Sequence, residues 1–304
     1  MSEPEDTSEA TAAGRIRVLL TGAGGQVGSA VTRRSPADAT VVAMDSATLD
    51  ITDEPAVRAA VGAARPDLIL NAAGYTAVDQ AEVEPERAFL VNRDGPANLA
   101  AAARANGARI IHLSTDFVFD GARGEPYPPE APCRPINVYG ASKRAGEEAV
   151  QALAGDAALV VRTSWVYAAR GNNFVLTMLR LLREQPEVRV VTDQVGSPTW
   201  AVSLADALWR AARRADLSGI HHWADAGVAS WYDLAVATQE ESVALGLLSR
   251  SVPIHAISSR DLPRPAKRPP FAVLDTSLTT HALGARPAHW RVNLRLMLRE
   301  LHAA

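Results

Sequence analysis

"RIRVLLTGAGGQVG", residues 15–28, runs from a short apolar stretch into a turn with glycine at 22, 25 and 28. A β-branched and leucine-rich run that stops at glycine predicts a buried strand, and "QVGSAVTRR" predicts the start of a helix behind it. A strand, a tight glycine turn and a helix N-terminus together present backbone N–H groups that a pyrophosphate can approach closely. The spacing is GxxGxxG rather than GxGxxG, and a glycine-rich turn without a ligand would satisfy it equally well. The flanking sequence has to decide.

Working outward, the same alternation continues. "ATVVAMD" (39–45) predicts a second strand and "DEPAVRAAVGAARP" (53–66) a helix closed by proline. "DLILNAAG" (67–74) predicts a third strand, "EPERAFLVNRDGPANLAAAARANG" (84–107) one long helix, and "ARIIHLST" (108–115) a fourth strand. A Gly/Pro-rich loop (120–135), a helix over 136–150 and the strand "AALVVRTSW" (157–165) follow. Continuous apolar strands alternating with helices predict an α/β fold, a Rossmann-like doubly wound parallel sheet covered on both faces. Beyond residue 165 the pattern loosens: helices over 172–184, 202–215, 230–246 and 291–301, a strand over 188–194, and a Pro/Arg-rich segment at 258–270. The expected organisation is a disordered tail (1–14), a dinucleotide-binding domain (15–165) and a smaller C-terminal substrate-binding lobe (166–304) with segments returning to the first domain.

Composition narrows the class. The 304 residues are 47% hydrophobic and 21% charged with a net charge of −3, so no global basic field argues for nucleic acid. Cys133 is the one cysteine, which excludes an internal disulfide framework or a multi-cysteine metal site and suits a reducing cytoplasm. No apolar run approaches the ~20 residues of a membrane helix. The acidic, polar N-terminus does not resemble a secretory signal.

Two further features carry chemistry. Asp45 closes the second strand 17 residues past Gly28, where an acid can hydrogen-bond an adenosine ribose, and Asp50-Ile51 lies where a loop can cover adenine. A solvated loop carboxylate is the plain alternative for either acid. Within "INVYGASKRAGEEAV" (136–150), Tyr139 and Lys143 share one helical face. A phenol titrates near 10 when free, so a nearby ammonium is expected to lower it and ready it for proton transfer. "HLSTD" supplies Ser114 and Thr115 as hydroxyl donors at the end of the fourth strand. The three elements together answer the opening ambiguity in favour of a nicotinamide coenzyme, NADPH or NADH.

This combination resembles the extended short-chain dehydrogenase/reductase superfamily. "TGAGGQVG", "NAAGYTAVDQAE", "STDFVFDG", "NVYGASKRAGE", "RTSWVY", "NNFVLTMLRL" and "DQVGSPT" are similar, in order, to the dTDP-4-dehydrorhamnose reductase family. The resemblance implies hydride transfer to the C4 ketone of a dTDP-linked 4-keto-6-deoxyhexose. It makes Tyr139 the catalytic acid, Lys143 its partner and Thr115 the hydroxyl that polarises the carbonyl. It places Gly22, Gly25, Gln26, Val27 and Gly28 at the pyrophosphate, Asp45, Asp50 and Ile51 at the adenosine end, and Gly74, Tyr75 and Thr76 at the coenzyme's middle. Thr76, Val78, Asp116 and Trp165 would line the sugar site, Trp165 by stacking. Arg264, Lys267 and Arg268 are candidates to clamp the diphosphate, with a solvated basic loop as the alternative.

Departures from the family pattern bear on the product and on metal. Phe117 stands where a tyrosine is usual after "STD". It and an Ala/Arg-rich, actinobacterial-looking composition point to dTDP-L-rhamnose or a related antibiotic deoxysugar such as dTDP-dihydrostreptose. Of three glutamates that hold magnesium in some members, Glu300 fits the last, while Ala30 and the neighbourhood of Val202 replace the others, so no such metal site is expected and the assembly is monomer or homodimer. Two other readings share the fold: a non-catalytic regulatory subunit, against which Thr115, Tyr139, Lys143 and Trp165 all speak, and an NAD-dependent sugar-nucleotide epimerase, which would hold its coenzyme tightly.

Overall fold

The structure, a computed structural model, describes residues 15–303; the stretch read as a disordered tail lies outside the described residues. The first half winds as β1 (Ile16–Thr21), α1 (Gln26–Arg33), β2 (Ala39–Met44), α2 (Glu54–Ala64), β3 (Leu68–Asn71), α3 (Val78–Ala81), α4 (Pro85–Phe89), α5 (Gly95–Ala105), β4 (Arg109–Thr115), α6 (Val138–Ala154) and β5 (Ala158–Thr163). The second half adds β6 (Val166–Tyr167), α7 (Phe174–Glu184), β7 (Val188–Val191), β8 (Val195–Gly196), β9 (Thr199–Trp200), α8 (Ala201–Ala212), β10 (Gly219–His222), β11 (Ala229–Ser230), α9 (Trp231–Ala244), β12 (Ile254–Ile257), α10 (Ser277–Leu283) and α11 (Trp290–His302).

Among the described residues, six strands form the main sheet in the order β10-β5-β4-β3-β1-β2, and every pairing in it is parallel. The central strands β1, β3, β4 and β5 are mostly apolar because both their faces are largely buried. On β1, Val18 and Leu20 join the layer of α1 and α8, whereas Leu19 joins the layer of α2 and α5. Ile111 and Ile110 on β4 divide the same way. This is the period of two expected of a sheet sandwiched between helices. Each such fully buried side chain contributes about 1.5–3 kcal/mol relative to exposure. The strand order reverses between β1 and β3, so the glycine turn after β1 opens at the crevice where doubly wound sheets bind ligands.

One expectation is corrected. The helix expected over 84–107 is interrupted: a π-helical segment, Leu90–Asp94, separates α4 from α5 and turns Asn92 fully inward. Such segments mark sites where a helix sacrifices its regular ladder to aim a side chain. The second half returns a strand to the main sheet, since β10 pairs with β5 through Gly219↔Leu159 and His222↔Arg162. "GIHH" hides this strand because two of its four residues are histidines, both buried here. The remaining lobe packs around its own core of Tyr167, Val175, Leu179, Leu234, Trp290 and Leu294. No helix among the described residues is long and apolar enough to cross a membrane.

Candidate active site

Two glycines of the turn, Gly22 and Gly28, have no room for a side chain. Gly22 has φ +73°, and a Cβ there would lie 2.5 Å from the backbone nitrogen of Ala73. A Cβ on Gly28 would lie 2.1 Å from the carbonyl of Gly22. Gly25 caps α1 without a side chain, which leaves the first N–H groups of the helix, those of Gln26 and Val27, open to an anion. The Gln26 side chain is committed elsewhere: its Oε1 accepts from Asn173 Nδ2 at 2.9 Å, tying the turn to the start of α7. Asp45 stands beside Gly24, whose Cβ would come 3.5 Å from that of Asp45. The Thr48 hydroxyl at 3.0 Å and the N–H groups of Thr48 and Ala47 hold the Asp45 carboxylate below its ordinary range, so it is charged at neutral pH. Asp50 accepts from Thr52 in the same manner, while Ile51 is buried against Gly95.

Further along the sheet's carboxyl edge, Gly74, Tyr75 and Thr76 form the loop after β3. Sequence reading missed the residue that holds this loop. Asn92 accepts from Tyr75 N at 2.8 Å and donates to Tyr75 O at 2.9 Å and to Ser142 Oγ at 3.0 Å, so the loop is fastened to α6. A lone asparagine within a helical pattern reads as a solvated residue; its position in "LVNRDG", just before a helix-restarting Gly-Pro, is the one available signal. A Cβ on Gly74 would lie 3.8 Å from Lys143 Nζ, so the open backbone at 74 adjoins the lysine. The glycine turn, Asp45, the loop at 74–76 and Lys143 therefore line one continuous edge.

Helix α6 begins at Asn137, whose side chain accepts from Gly140 N at 2.7 Å. Its buried face carries Tyr139, Lys143 and Glu147 one turn apart, an unusual polar stripe against β4 and β5. Glu147 anchors the stripe through Arg162 on β5, with Nη2 to Oε2 at 2.7 Å and both side chains buried. Burial pushes the Glu147 carboxyl up, and the hydrogen bonds from Arg162 overcome that and bring it below its ordinary value. Lys143 Nζ donates to Leu113 O at 2.7 Å, and burial lowers its pKa to about 8 against the pull of Glu147.

The expectation that Lys143 depresses the Tyr139 phenol is corrected. Burial raises Tyr139 to about 12; the neighbouring Thr115 hydroxyl lowers it somewhat and the Asp116 carboxyl raises it. The ring of Phe117 stands edge-on to it at 5.5 Å. Desolvation wins because the phenolate would form away from water while the ammonium bonds a backbone carbonyl. Tyr139 is thus fully protonated at neutral pH, the state a proton donor requires. The Thr115 hydroxyl donates to Asp116 Oδ1 at 3.0 Å and accepts from Phe117 N. Asp116 is itself buried with Oδ2 unpartnered, and its pKa rises to about 7 through desolvation, opposed by the Thr115 hydrogen bond.

The expected substrate residues divide. Thr76 is exposed and Val78 half-buried at the start of α3, near the mouth above Tyr139. Trp165 follows the end of β5, where Thr163 is the register partner of Thr115. Its φ is +45°, a left-handed conformation costing a bulky residue about 1–2 kcal/mol. One stacking face is already taken: Trp231 lies parallel on the indole with centroids 3.6 Å apart. Arg268 is likewise engaged, since Nη2 meets Asp79 Oδ2 at 2.8 Å and its sister nitrogen bonds Oδ1 and the Ala266 carbonyl. Arg264 and Lys267 remain exposed. Glu300 pairs with Arg33 of α1 at 2.6 Å, Ala30 is enclosed in the core, and no group of three or more His, Cys, Asp or Glu among the described residues is placed to hold a metal ion.

The family model described as the RmlD substrate binding domain matches residues 16–303. A dTDP-4-dehydrorhamnose reductase of Streptomyces griseus is 44% identical over 290 residues, covering 92% of each chain. The spore coat polysaccharide biosynthesis protein SpsK of Bacillus subtilis is 39% identical over 95% of this chain and 99% of its own. Among solved structures, a dTDP-4-dehydrorhamnose reductase of Bacillus anthracis in complex with NADP has a TM-score of 0.89 and 35% identity, covering 94% of this chain and 99% of that one.

Proposed function

The chain belongs to the RmlD substrate-binding-domain family, and from that membership we propose that it is an NAD(P)H-dependent oxidoreductase that reduces the C4 ketone of a dTDP-4-dehydro-6-deoxy-L-hexose. The observation that carries the reading is the protonated Tyr139 phenol set beside Thr115 at the carboxyl edge of the sheet, one helical turn from Lys143. The open N–H groups of Gln26 and Val27 would take the pyrophosphate, Asp45 the adenosine ribose, and the backbone at 74–76 with Lys143 the nicotinamide half. The reduced nicotinamide supplies the hydride to C4.

The chain's own residues supply the proton and the positioning. Tyr139 keeps its proton until the ketone oxygen gains charge, then donates it. Lys143, charged below pH of about 8, offsets the phenolate left behind. Thr115 donates to Asp116, and the pair would form one proton line toward the same oxygen. If Asp116 is protonated, it can act as donor and free the Thr115 hydroxyl to polarise the ketone.

The product is dTDP-L-rhamnose or a related deoxysugar. One observation favours a related sugar such as dTDP-dihydrostreptose: Phe117 presents a ring edge to Tyr139 where a hydroxyl would otherwise meet the sugar. The test is to supply dTDP-4-keto-6-deoxyglucose with a 3,5-epimerase and NADPH, follow coenzyme oxidation and identify the sugar by NMR. Coenzyme oxidation with a new C4 hydroxyl supports the reading. No oxidation with either NADPH or NADH defeats it, and tightly retained NAD⁺ with epimerised product would transfer it to an epimerase.

A further inference from the structure

Trp165 is held as if in a clamp. Trp231, the first residue of α9, covers one face of its indole at 3.6 Å with only 4° between the planes. A Cβ on Gly196 would stand 2.6 Å from Cε2, 2.8 Å from Nε1 and 2.9 Å from Cζ2 of the same indole. Near-equal distances to three adjoining ring atoms put that point over the ring plane, on the side Trp231 leaves free. Gly196 and Trp231 belong to one small ribbon, because β8 pairs with β11 through Gly196↔Ala229 and Trp231 follows directly. The ribbon is itself braced: Trp231 Nε1 donates to Gln194 Oε1 at 3.1 Å, Gln194 Nε2 donates to Ser259 Oγ at 2.8 Å, and Phe174 packs on Trp231.

With Trp231 on one face and Gly196 against the Nε1–Cε2–Cζ2 side of the other, the part of Trp165 best placed to meet a ligand is its edge. Its N–H differs from those of the other five tryptophans. Trp209 and Trp231 donate to Val31 O and Gln194, and the N–H groups of Trp200, Trp223 and Trp290 are enclosed without partners. Trp165 Nε1 has no partner among the described residues and is not enclosed, and the residue is half-buried beside the end of β4 that carries Thr115 and Asp116. A left-handed backbone at a bulky residue persists only where the surroundings fix it, and such positions cluster at ligand sites.

Resting on the reductase reading above, we propose that Trp231 is a positioning residue which, with Gly196, fixes Trp165 edge-on so that its indole N–H donates a hydrogen bond to a sugar oxygen of the dTDP-linked substrate. Recognition at Trp165 is then by a directed donor, not by a stacking face. The oxygens of a deoxyhexose ring are the matching acceptors, and the coenzyme is not engaged.

The experiment compares the full-length wild type with Trp165→Phe, Trp231→Ala, Trp231→Phe and Gly196→Ala, using the 4-keto sugar nucleotide and NADPH. Two stacked indoles give an exciton couplet in circular dichroism, which reports the clamp independently of turnover. Trp165→Phe, Trp231→Ala and Gly196→Ala are expected to raise the KM for the sugar nucleotide by about three- to ten-fold, the range of one lost hydrogen bond. The KM for NADPH should stay within about two-fold, as for contacts made only to the other ligand. Trp231→Phe, which keeps an aromatic face under Trp165, should lose the couplet yet restore the sugar-nucleotide KM. An unchanged sugar-nucleotide KM in Trp231→Ala despite a lost couplet would overturn the proposal, as would equal rises in both KM values. If one variant fails to fold, Gly196→Ala and Trp231→Phe leave every aromatic ring or face in place and still decide it. Wild-type turnover is read first, so failure of the reductase reading is seen separately, and it would remove this proposal too.

Discussion

Tyr139 and Phe117 meet edge to face, with ring centroids 5.5 Å apart and planes inclined by 72°. The contact is part of the burial that raises the phenol's pKa to about 12. Tyr139→Phe should therefore preserve the fold and coenzyme binding while lowering kcat by ~10²-fold or more, since positioned proton transfer contributes 10²–10⁴. Undiminished turnover of a 4-keto sugar nucleotide would remove Tyr139 from the mechanism.

The alkaline limb of the rate belongs to Lys143 instead. Its pKa is lowered to about 8 by burial, so the ammonium is present below that pH and lost above it. With Tyr139 still protonated, kcat should fall as pH rises through about 8. A profile flat to pH 10 would show that the ammonium does not bear on proton transfer.

Asp116 gives a stability prediction with a definite sign. Its carboxyl rises from 3.8 to about 7 on folding, so the folded state binds more protons than the unfolded state between those values. Stability is lost as pH climbs through that window, and the penalty is complete above it. Converted directly, the change corresponds to roughly 4 kcal/mol as an upper bound. Asp116→Asn should raise Tm more at pH 8 than at pH 5 while reducing kcat/KM. An equal Tm change at both pH values would place the carboxyl in water.

How far the sequence foretold this site can be read from individual residues. β1, β3, β4 and β5 were legible because burial on both faces demands unbroken apolar runs, and Tyr139 and Lys143 because a helix fixes which residues share a face. Asn92 was not, since a buried polar side chain looks like an exposed one until its three partners are known. Nor could spacing reveal that Arg268 is occupied by Asp79, 189 residues away, or that Trp231 covers Trp165. Pairings between distant segments depend on the fold, and local periodicity carries no record of them.

Asp45 is expected to bear on the choice between the two coenzymes. Its carboxylate is held in its charged form by Thr48 and Ala47 beside the glycine turn. It would accept from ribose hydroxyls and repel a 2′-phosphate. Asp45→Ala should raise the KM for NADH more than that for NADPH. Equal effects on both would place Asp45 outside the coenzyme site.

Magnesium is the last question, and it turns on Glu300. A carboxylate that serves a shared metal must be free to turn toward it, whereas Glu300 Oε1 lies 2.6 Å from Arg33 Nη1 and both groups are only part-exposed. Its two expected companions are the enclosed Ala30 and the apolar Val202, which offer no oxygen. One carboxylate does not compete with the hydration shell of magnesium. EDTA should therefore leave kcat and the sedimentation coefficient unchanged, and Glu300→Gln should alter neither beyond the small cost of a surface ion pair, about 0–1 kcal/mol. A chelator-induced shift in sedimentation, reversed by magnesium, would show that other carboxylates, Glu54 or Glu184 among them, assemble a site between two chains.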